Sequence, residues 1–338
     1  DTTAGLVTPA GSLDTAVQAG EGYLVEVAPG TFYPASMIPG VDATSVSTEA
    51  VNATVVGGST LGSLYASAFA TNEYAQTAEY FIEYPEDIQL YGMSFNTTLG
   101  SSGVALQGEV SHRRDVPLQV DDLELLFAAL GPLDPGLATY NQLANVQDPT
   151  QFDSPYEQYL QGYKRMDVSQ IQTTATKLFG PTFGADQFVL LGEIGVTHVH
   201  SMPDKDDLRF EGPGTYISGN EILSGAHAPT AIGEYEDASH FADATSWGYR
   251  LVSKLDFNNA IGAVTLSPRL AWAHDVDGIS PGPGGNFIEG RKAVTFGLGA
   301  NYQNAWTADL SYTEYFGAGR YNLVNDRDFL ALNIKYSF

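Results

Sequence analysis

The sequence contains no cysteine and few basic residues, and each absence excludes a class of protein. Without cysteine there is no disulfide framework, no cysteine-ligated zinc site and no thiol nucleophile. Lys and Arg number 15 against 40 Asp and Glu, which gives a net charge of −25. Such a chain lacks the basic surface that neutralises nucleic-acid phosphates, so nucleic acid is excluded as a partner.

Charge and long hydrophobic runs are also scarce. Only 16% of the residues are charged, against roughly 25% in soluble domains. No apolar run approaches the ~18 residues that indicate a transmembrane helix. In their place are 36 Gly, 19 Tyr and 17 Phe. This combination fits a soluble enzyme poorly and is typical of a transmembrane β-barrel, whose signature is alternation rather than high hydropathy.

Residues 328–338 alternate strictly between apolar and polar side chains. One face carries Leu330, Leu332, Ile334, Tyr336 and Phe338, and a period of two predicts a strand with one apolar side. An ending on Phe, with Tyr shortly before it, resembles the C-terminal signal that the barrel-assembly machinery of the bacterial outer membrane recognises. The alternative is an amphipathic edge strand of a soluble sandwich.

The same alternation recurs along the chain and predicts about nine strands. Bacterial single-chain barrels use an even number, so we expect either hidden strands in residues 1–85 or a chain that is part of a longer one. The predicted fold class is all-β: a transmembrane antiparallel β-barrel, or the C-terminal part of a larger one, with long extracellular loops. The predicted strands are 88–99, 104–112, 163–179, 187–199, 245–257, 261–274, 288–302, 306–316 and 328–338.

Short and long connections alternate between these strands. Outer-membrane barrels have short periplasmic turns and long extracellular loops, so Phe338 is expected at the periplasmic end. The short turns are 98–102, 180–185, 259–260 and 303–304, and the long loops are 113–162, 201–244, 277–287 and 317–327. Aromatic residues near both strand ends predict the two girdles of a membrane barrel. They are Trp247, Tyr249, Phe257, Trp272, Tyr302, Trp306, Phe316, Tyr336 and Phe338.

Several segments together resemble a bacterial outer-membrane family known as domain of unknown function thirteen-oh-two. They include YFIEYPEDIQLYGMSF, KLFGPTFGADQFVLLGEIGVTHVH, SWGYRLVSKLDFNN, LSPRLAWAHDVDGISP, GGNFIEGRKAVTFGLGANY and FGAGRYNLVNDRDFLALNIKYSF. The resemblance covers residues 80–338, which are expected to form barrel strands and loops of an incomplete barrel. Residues 1–79 match weakly and are expected to be a loop-rich segment, with a strand at 22–28 and loop at 41–72.

This resemblance implies a Gram-negative outer-membrane barrel and carries no agreed catalytic residues. Genes of the family tend to lie near those for the catabolism of hydrophobic compounds and near exporters of the RND class. Family members are much longer than this chain, which supports the interpretation that it is a fragment.

Charged side chains on the polar face of the strands are candidates for lining a lumen. Rings of charge set ion selectivity in pores, and basic residues outnumber acidic ones here although the chain is acidic. The equal alternative is a lattice of cross-strand salt bridges that stiffens a closed wall. The candidates are Arg250, Lys254, Asp256, Arg269, Glu289, Arg291, Asp309 and Lys335.

Apolar residues cluster in the long loop 113–162, where exposed polar residues are the norm. Leu123, Leu126, Phe127 and Leu130 suit one face of a short helix, and Leu118 precedes them. An exposed apolar patch usually binds something, so the segment is a candidate lid over the barrel mouth. The alternative is internal packing of the loop into a cap.

No residue pattern indicates catalysis, a cofactor or a metal, so the chain is not expected to be an enzyme. Residues 278–282 match G-x-S-x-G, but a nucleophile elbow needs a helix after it, and here Pro281 and Pro283 favour a turn. Outer-membrane phospholipases use a Ser–His pair on the barrel exterior, and no segment of this sequence resembles theirs. Histidines at strand tips, including His112, His198 and His200, are interpreted as polar markers of the lipid boundary rather than a metal rim.

The leading functional hypothesis is an outer-membrane channel for passive transport of small hydrophobic molecules. The alternative is a plugged barrel that serves as a surface or envelope-assembly anchor and binds a partner through its extracellular loops. The expected partners are the lipid bilayer, lipopolysaccharide, the assembly machinery through Phe338, a small hydrophobic ligand, and an exporter or envelope protein.

Overall fold

A computed structural model describes residues 77, 79–131, 140–145, 159–221, 223 and 235–338, together with short backbone strands nearer the N-terminus. The chain divides into two compact units. One comprises residues 1–82 and 154–156, and the other residues 83–153 and 157–338.

Five short strands are described in the first unit. β1 (Thr3–Gly5), β2 (Tyr23–Ala28) and β3 (Thr31–Pro34) form an antiparallel sheet, and β4 (Val55–Val56) pairs with β5 (Ser59–Thr60). β2 coincides with the strand expected at residues 22–28. The stretch 41–72, expected as loop, contains β4 and β5 and otherwise lies outside the described residues. The division at residue 79 stays a prediction.

The second unit is built on a nine-stranded antiparallel sheet in which each strand pairs with its neighbours in sequence. This meander confirms the predicted all-β class and places a strand at each predicted position. The strands are β6 (Gln89–Thr98), β7 (Val104–Gln119), β8 (Tyr163–Phe179), β9 (Gln187–Val199), β10 (Thr245–Ile261), β11 (Val264–Asp277), β12 (Lys292–Tyr302), β13 (Trp306–Phe316) and β14 (Phe329–Tyr336).

The sheet is open. β6 and β14 are its two edges and are not paired with each other among the described strands, so closure into a barrel is not observed. The described residues include no helix that is both long and apolar enough to cross a membrane.

The register gives the sheet one apolar and one polar face. Leu310 pairs with Leu298 and Leu332, while its neighbour Asp309 pairs with Gly299 and Asn333. Because side chains alternate along every strand, this alignment extends the alternation of each strand across the whole sheet. The apolar face is exposed: the exposed fractions are 76% at Met93, 52% at Ile171, 57% at Phe296 and 66% at Leu332.

Five predicted strand boundaries, the ends of β7 and β10, both ends of β11 and the start of β12, are wrong by three to seven residues. β7 continues to Gln119, because the chain resumes pairing with β8 after a bulge between Arg113 and Val116. The β10–β11 turn lies at residues 262–263 rather than 259–260, since β10 continues past a bulge near Asn259, whose φ is positive. β12 begins at Lys292 rather than at residue 288.

The buried core lies at one end of the sheet, between the ends of β7–β9 and the long connections. We call the described residues 120–131, 140–145, 159–162, 200–221, 223, 235–244, 278–291 and 317–328 the cap. The cap contains helix α1 (Asp122–Leu130). Its segments are joined to one another by a β-bridge between Val120 and Phe210 and by a hydrogen bond of 2.8 Å from the Asp243 nitrogen to the Ile279 oxygen. The core cluster comprises Leu118, Val120, Leu143, Met166, Val168, Val199, Leu208, Phe210 and Ala242.

Candidate functional site

The polar face of the sheet holds most of the charged residues predicted to line a lumen. Arg250, Lys254, Asp256, Arg269, Asp309 and Lys335 all fall on it by register. The structure pairs Arg250, Lys254 and Arg269 with carboxylates rather than leaving a basic wall. Lys254 Nζ lies 2.8 Å from Asp256 Oδ1, and the Ser267 hydroxyl donates to the same Asp256 oxygen at 2.5 Å.

A pocket of about 200 Å³ lies on this face among β10–β13. Arg269 and Asp309 meet there in a two-pronged ion pair, with Nη2 donating to Oδ1 at 2.7 Å. Polar and small side chains complete the lining, so the pocket suits water or a small polar group. Its residues are Lys254, Ser267, Arg269, Gly299, Ala300, Asn301, Thr307 and Asp309.

Glu289 and Arg291 do not belong to the strand face on which they were predicted. They precede β12, and the hydrogen bond of 3.0 Å from the Arg291 nitrogen to the Ile288 oxygen closes a turn that ends the alternation. Glu289 instead accepts from the Gly278 nitrogen at 3.3 Å. Both residues therefore belong to the cap.

Asp275 anchors this part of the cap to the sheet. Its carboxylate is buried and contacts Arg250 Nη2 at 3.0 Å and Arg291 Nε at 2.6 Å. It also accepts from the Ile288 nitrogen at 3.2 Å. Sequence reasoning did not assign Asp275 this role, although its position on β11 has the same parity as Arg269 and so indicated the polar side.

The predicted apolar lid is a helix, but its inner side differs from the predicted one. Leu118 lies in β7 and is buried in the core, not in a loop. Leu125 and Ala128 are the α1 residues that pack against the core, while Leu126 is 48% exposed. Of the remaining predicted lid residues, Leu123, Phe127 and Leu130 are half-buried.

A buried charge cluster fixes α1 to the β9–β10 connection. Arg209 contacts Asp121 Oδ2 at 3.4 Å and also bonds to Glu124, and all three side chains are buried. Gln142 donates its backbone N–H to Glu124 at 2.7 Å. Asp121 additionally begins the helix, since its side chain accepts from the Leu123 nitrogen at 3.1 Å, which stabilises a free N–H of the first turn.

Burial raises the pKa of Asp121 from its usual 3.8 to about 7, although the Arg209 charge opposes that shift. Burial also raises the pKa of Asp122 and of Glu211 nearby. Oxygens of Asp121, Asp122 and Glu211 lie within 4.8 Å of one another, so these are the described residues that could together hold a cation. Glu211 already accepts from the Asp122 nitrogen at 3.1 Å.

The cap reaches over the polar face of the sheet. Met166, Val168 and Val199 share the parity of the polar side chains on β8 and β9, and they belong to the core cluster. Phe287 lies above Gly195 of β9, where an added Cβ would be 3.2 Å from the ring. The polar face is therefore partly covered at this end.

The aromatic residues predicted as girdles lie in two rows at opposite ends of the apolar face. Near the short turns, the ring centres of Trp306 and Tyr336 are 4.6 Å apart, and Phe338 lies 6.3 Å from Tyr336. Tyr302 pairs with Trp306, and Phe257, which pairs with Leu266, lies on the same face two positions further along the strands. Near the cap, Trp272 lies 5.8 Å from Phe316 and donates to the Tyr249 hydroxyl at 3.2 Å, and Trp247 completes this row.

A family model described as a protein of unknown function, DUF1302, matches residues 23–338. The chain belongs to the DUF1302 family. Comparison with curated proteins and with solved structures gives no match. Family membership confirms the resemblance seen in the sequence, and it assigns no activity to DUF1302 proteins.

Proposed function

We propose that this DUF1302 sheet is the wall of an outer-membrane barrel that lets small hydrophobic molecules pass. The observation that carries the proposal is the exposed apolar face across nine strands, bounded by two aromatic rows and backed by a polar face. A soluble monomer seldom exposes a continuous apolar patch beyond a few hundred Å². Lipid would cover such a face, and aromatic rows at its two ends match the girdles of membrane barrels.

A membrane location requires partners for the two edges of the sheet. Unpaired backbone groups in hydrocarbon are costly, so spanning sheets close. In this proposal β6 and β14 complete their hydrogen bonding within a larger closed sheet. Lipopolysaccharide and phospholipid then contact the apolar face, and Phe338 is presented to the assembly machinery.

The outer side of α1 supports the proposal that the ligands are small hydrophobic molecules. Leu126 is half exposed there and Phe127 lies beside it, which gives the cap an apolar surface for capturing a hydrophobic molecule. The gene context implied by the family resemblance points to the same class. An exporter or another envelope protein would be the partner of such a channel.

Single-channel recording of the refolded protein in a planar bilayer tests the proposal. We expect ohmic steps with weak ion selectivity, because Arg269 and Lys254 are paired with carboxylates. Liposome uptake of a hydrophobic dye with and without the protein tests the ligand class. Insertion without conductance or uptake contradicts transport.

The cap favours a second candidate, a plugged anchor. Its core packs on the polar side of β8 and β9, and Phe287 covers Gly195. A barrel occluded in this way would use its long connections to bind an envelope partner. Silence in the bilayer with proven insertion supports this candidate.

A further inference from the structure

A serine and two histidines from different strands meet at the cap end of the apolar face. The Ser169 hydroxyl on β8 lies 3.0 Å from His112 Nδ1 on β7 and 2.8 Å from His200 Nε2, just after β9. The other nitrogen of His112, Nε2, lies 3.9 Å from Asp167 Oδ2. Ser169 and His112 are half-buried, and His200 is exposed.

Hydrogen-bond chemistry assigns different roles to the two imidazoles. A hydroxyl has one proton to donate, so Ser169 donates to one ring and accepts from the other. The charge of the Asp167 carboxylate favours the proton of His112 on Nε2, although at 3.9 Å the two groups are too far apart for a hydrogen bond and Arg114 Nε lies 4.0 Å from the same oxygen. His112 Nδ1 then accepts the Ser169 proton, as a general base does, and His200 Nε2–H donates to the Ser169 oxygen.

Neighbouring contacts hold this arrangement. The Asp115 backbone nitrogen donates to Asp167 Oδ1 at 3.1 Å, and the His200 nitrogen donates to the Asp167 carbonyl at 2.8 Å. The His198 ring packs edge-on against His200 with centroids 4.9 Å apart, and His198 itself bonds to Thr245 at 2.8 Å. Asp167 and His200 are thus oriented by groups outside the catalytic set.

The surroundings indicate the substrate class. Ser169 lies on the apolar face, and Ile171 follows it on the same face of β8, 52% exposed. Ile171 pairs with Val110 on one side and Val196 on the other, and Val110 is 43% exposed. An acyl chain could lie along this surface while its ester group reaches the polar end at Ser169.

We propose that Ser169 and His112 form a hydrolytic site for carboxylic esters of long-chain fatty acids. Ser169 Oγ attacks the ester carbonyl carbon while its proton passes to His112 Nδ1, and His200 Nε2–H stabilises the resulting oxyanion. The intermediate collapses, the C–O bond to the alcohol breaks, and the alcohol leaves with the proton from His112. Water then attacks the acyl-Ser169 ester through the same base, which releases the fatty acid and restores the serine.

Two other candidate sites in the chain do not support this chemistry. Ser280, in the G-x-S-x-G segment, is buried and bonds to the Ser246 hydroxyl at 2.7 Å and the Phe287 nitrogen at 3.1 Å. It therefore fills a turn, as its sequence context predicted. The Asp121 cluster consists of carboxylates paired with Arg209 and offers no serine–histidine pair. This proposal differs from the expectation that the chain is not an enzyme. The sequence did not indicate the site because Ser169 and His112 lie on separate strands.

Hydrolysis of p-nitrophenyl dodecanoate by the refolded full chain in detergent micelles tests the proposal. We expect turnover that falls at least about 100-fold in Ser169→Ala and in His112→Ala. Ser253→Ala is the matched control, because Ser253 is a half-buried serine on the same face of β10. Circular dichroism of each variant shows whether the sheet has formed.

Further readouts separate catalysis from folding. A fluorophosphonate probe should label Ser169 in the wild type, identified by peptide mass spectrometry, and should not label His112→Ala. Asp167→Asn should lower kcat without raising KM, with partial recovery in Asp167→Glu, because Asp167 positions His112. Wild-type turnover no higher than that of Ser169→Ala, or labelling at another serine alone, overturns the proposal. The esterase site requires the exposed apolar face but no passage of molecules. A negative esterase assay therefore does not contradict the channel, and a negative conductance assay does not contradict the esterase site.

Discussion

Arg269 on β11 reaches Asp309 on β13 by crossing the intervening strand above Gly297. A Cβ at Gly297 would lie 2.5 Å from the guanidinium carbon, so the crossing requires a residue without a side chain. The ion pair links strands that are not neighbours in the sheet and neutralises a positive charge on the polar face. Of the two alternatives for the charged face, this geometry favours the salt-bridge lattice.

Replacing Asp309 with Asn should make the polar face more basic with little loss of stability. Arg269 then lacks its counter-charge, and we expect the reversal potential in a KCl gradient to shift toward anion preference. Half-exposed ion pairs contribute under about 1 kcal/mol to stability, so the thermal unfolding of the variant should be close to that of the wild type. Asp309→Glu retains the charge and is the control. An unchanged reversal potential would indicate that this face does not line the conducting path.

Removing Arg209 should release α1 from the rest of the cap. Arg209→Met leaves Asp121 and Glu124 buried without their counter-charge, and breaking a buried pair in this way costs about 3–5 kcal/mol. We expect faster hydrogen exchange and proteolysis within 122–130 while the sheet amides stay protected. Adding Glu124→Gln to this variant should restore part of the protection. Equal protection in Arg209→Met and wild type would contradict the role of the cluster.

The stability of the cap should fall as pH rises from about 4 to about 7. Because burial raises the pKa of Asp121 to about 7 from 3.8, the folded cap keeps a proton in this range that the unfolded chain has lost. Raising the pH therefore favours opening, and the raised pKa values of Asp122 and Glu211 act in the same direction. Proteolysis of the cap at pH 5 and pH 8 measures the effect. Asp121→Asn should remove most of the difference in protease resistance between the two pH values. A cap that is more resistant at pH 8 than at pH 5 would refute the prediction.

Local alternation was sufficient to predict the strands but not the cap. Residues 187–199 and 306–316 were predicted with their observed boundaries, because a period of two is visible within each strand. Phe210 and Val120 meet across a bridge between distant connections, and no local pattern indicates such a contact. Helix α1 was predicted from its apolar spacing, yet its inner side was not, because the buried Glu124 is satisfied by the remote Arg209. The Ser169 site likewise depends on register between β7 and β8, which the sequence alone does not specify.

Gly195 should control how closely the cap approaches the polar face. Gly195→Val places two methyl groups where the Phe287 ring lies, since a Cβ alone would already be 3.2 Å from it. We expect the β11–β12 connection to move away and become more sensitive to protease. Gly299→Val is a matched control, because its Cβ would meet its nearest neighbours at ordinary distances of 3.5–3.7 Å. If the cap occludes a lumen, conductance rises in Gly195→Val alone. An unchanged conductance despite a displaced connection would place the occlusion elsewhere.

Arginine substitutions at two adjacent residues of β14 can show which face of the sheet contacts lipid. Leu332 lies on the apolar face opposite Leu310, and Asn333 lies on the polar face opposite Asp309. An arginine facing hydrocarbon at mid-depth costs about 2–4 kcal/mol, so Leu332→Arg should lower the folded fraction on refolding into phospholipid vesicles. Asn333→Arg adds the same side chain next to Asp309 and should refold like the wild type. If protein rather than lipid covers the apolar face, the two variants should have the same folded fraction in aqueous buffer without urea. A lower folded fraction in vesicles for Asn333→Arg than for Leu332→Arg would invert the proposed orientation. The two substitutions are adjacent in the chain, but their side chains lie on opposite faces of the sheet. A difference between the variants therefore reports on the environment of each face.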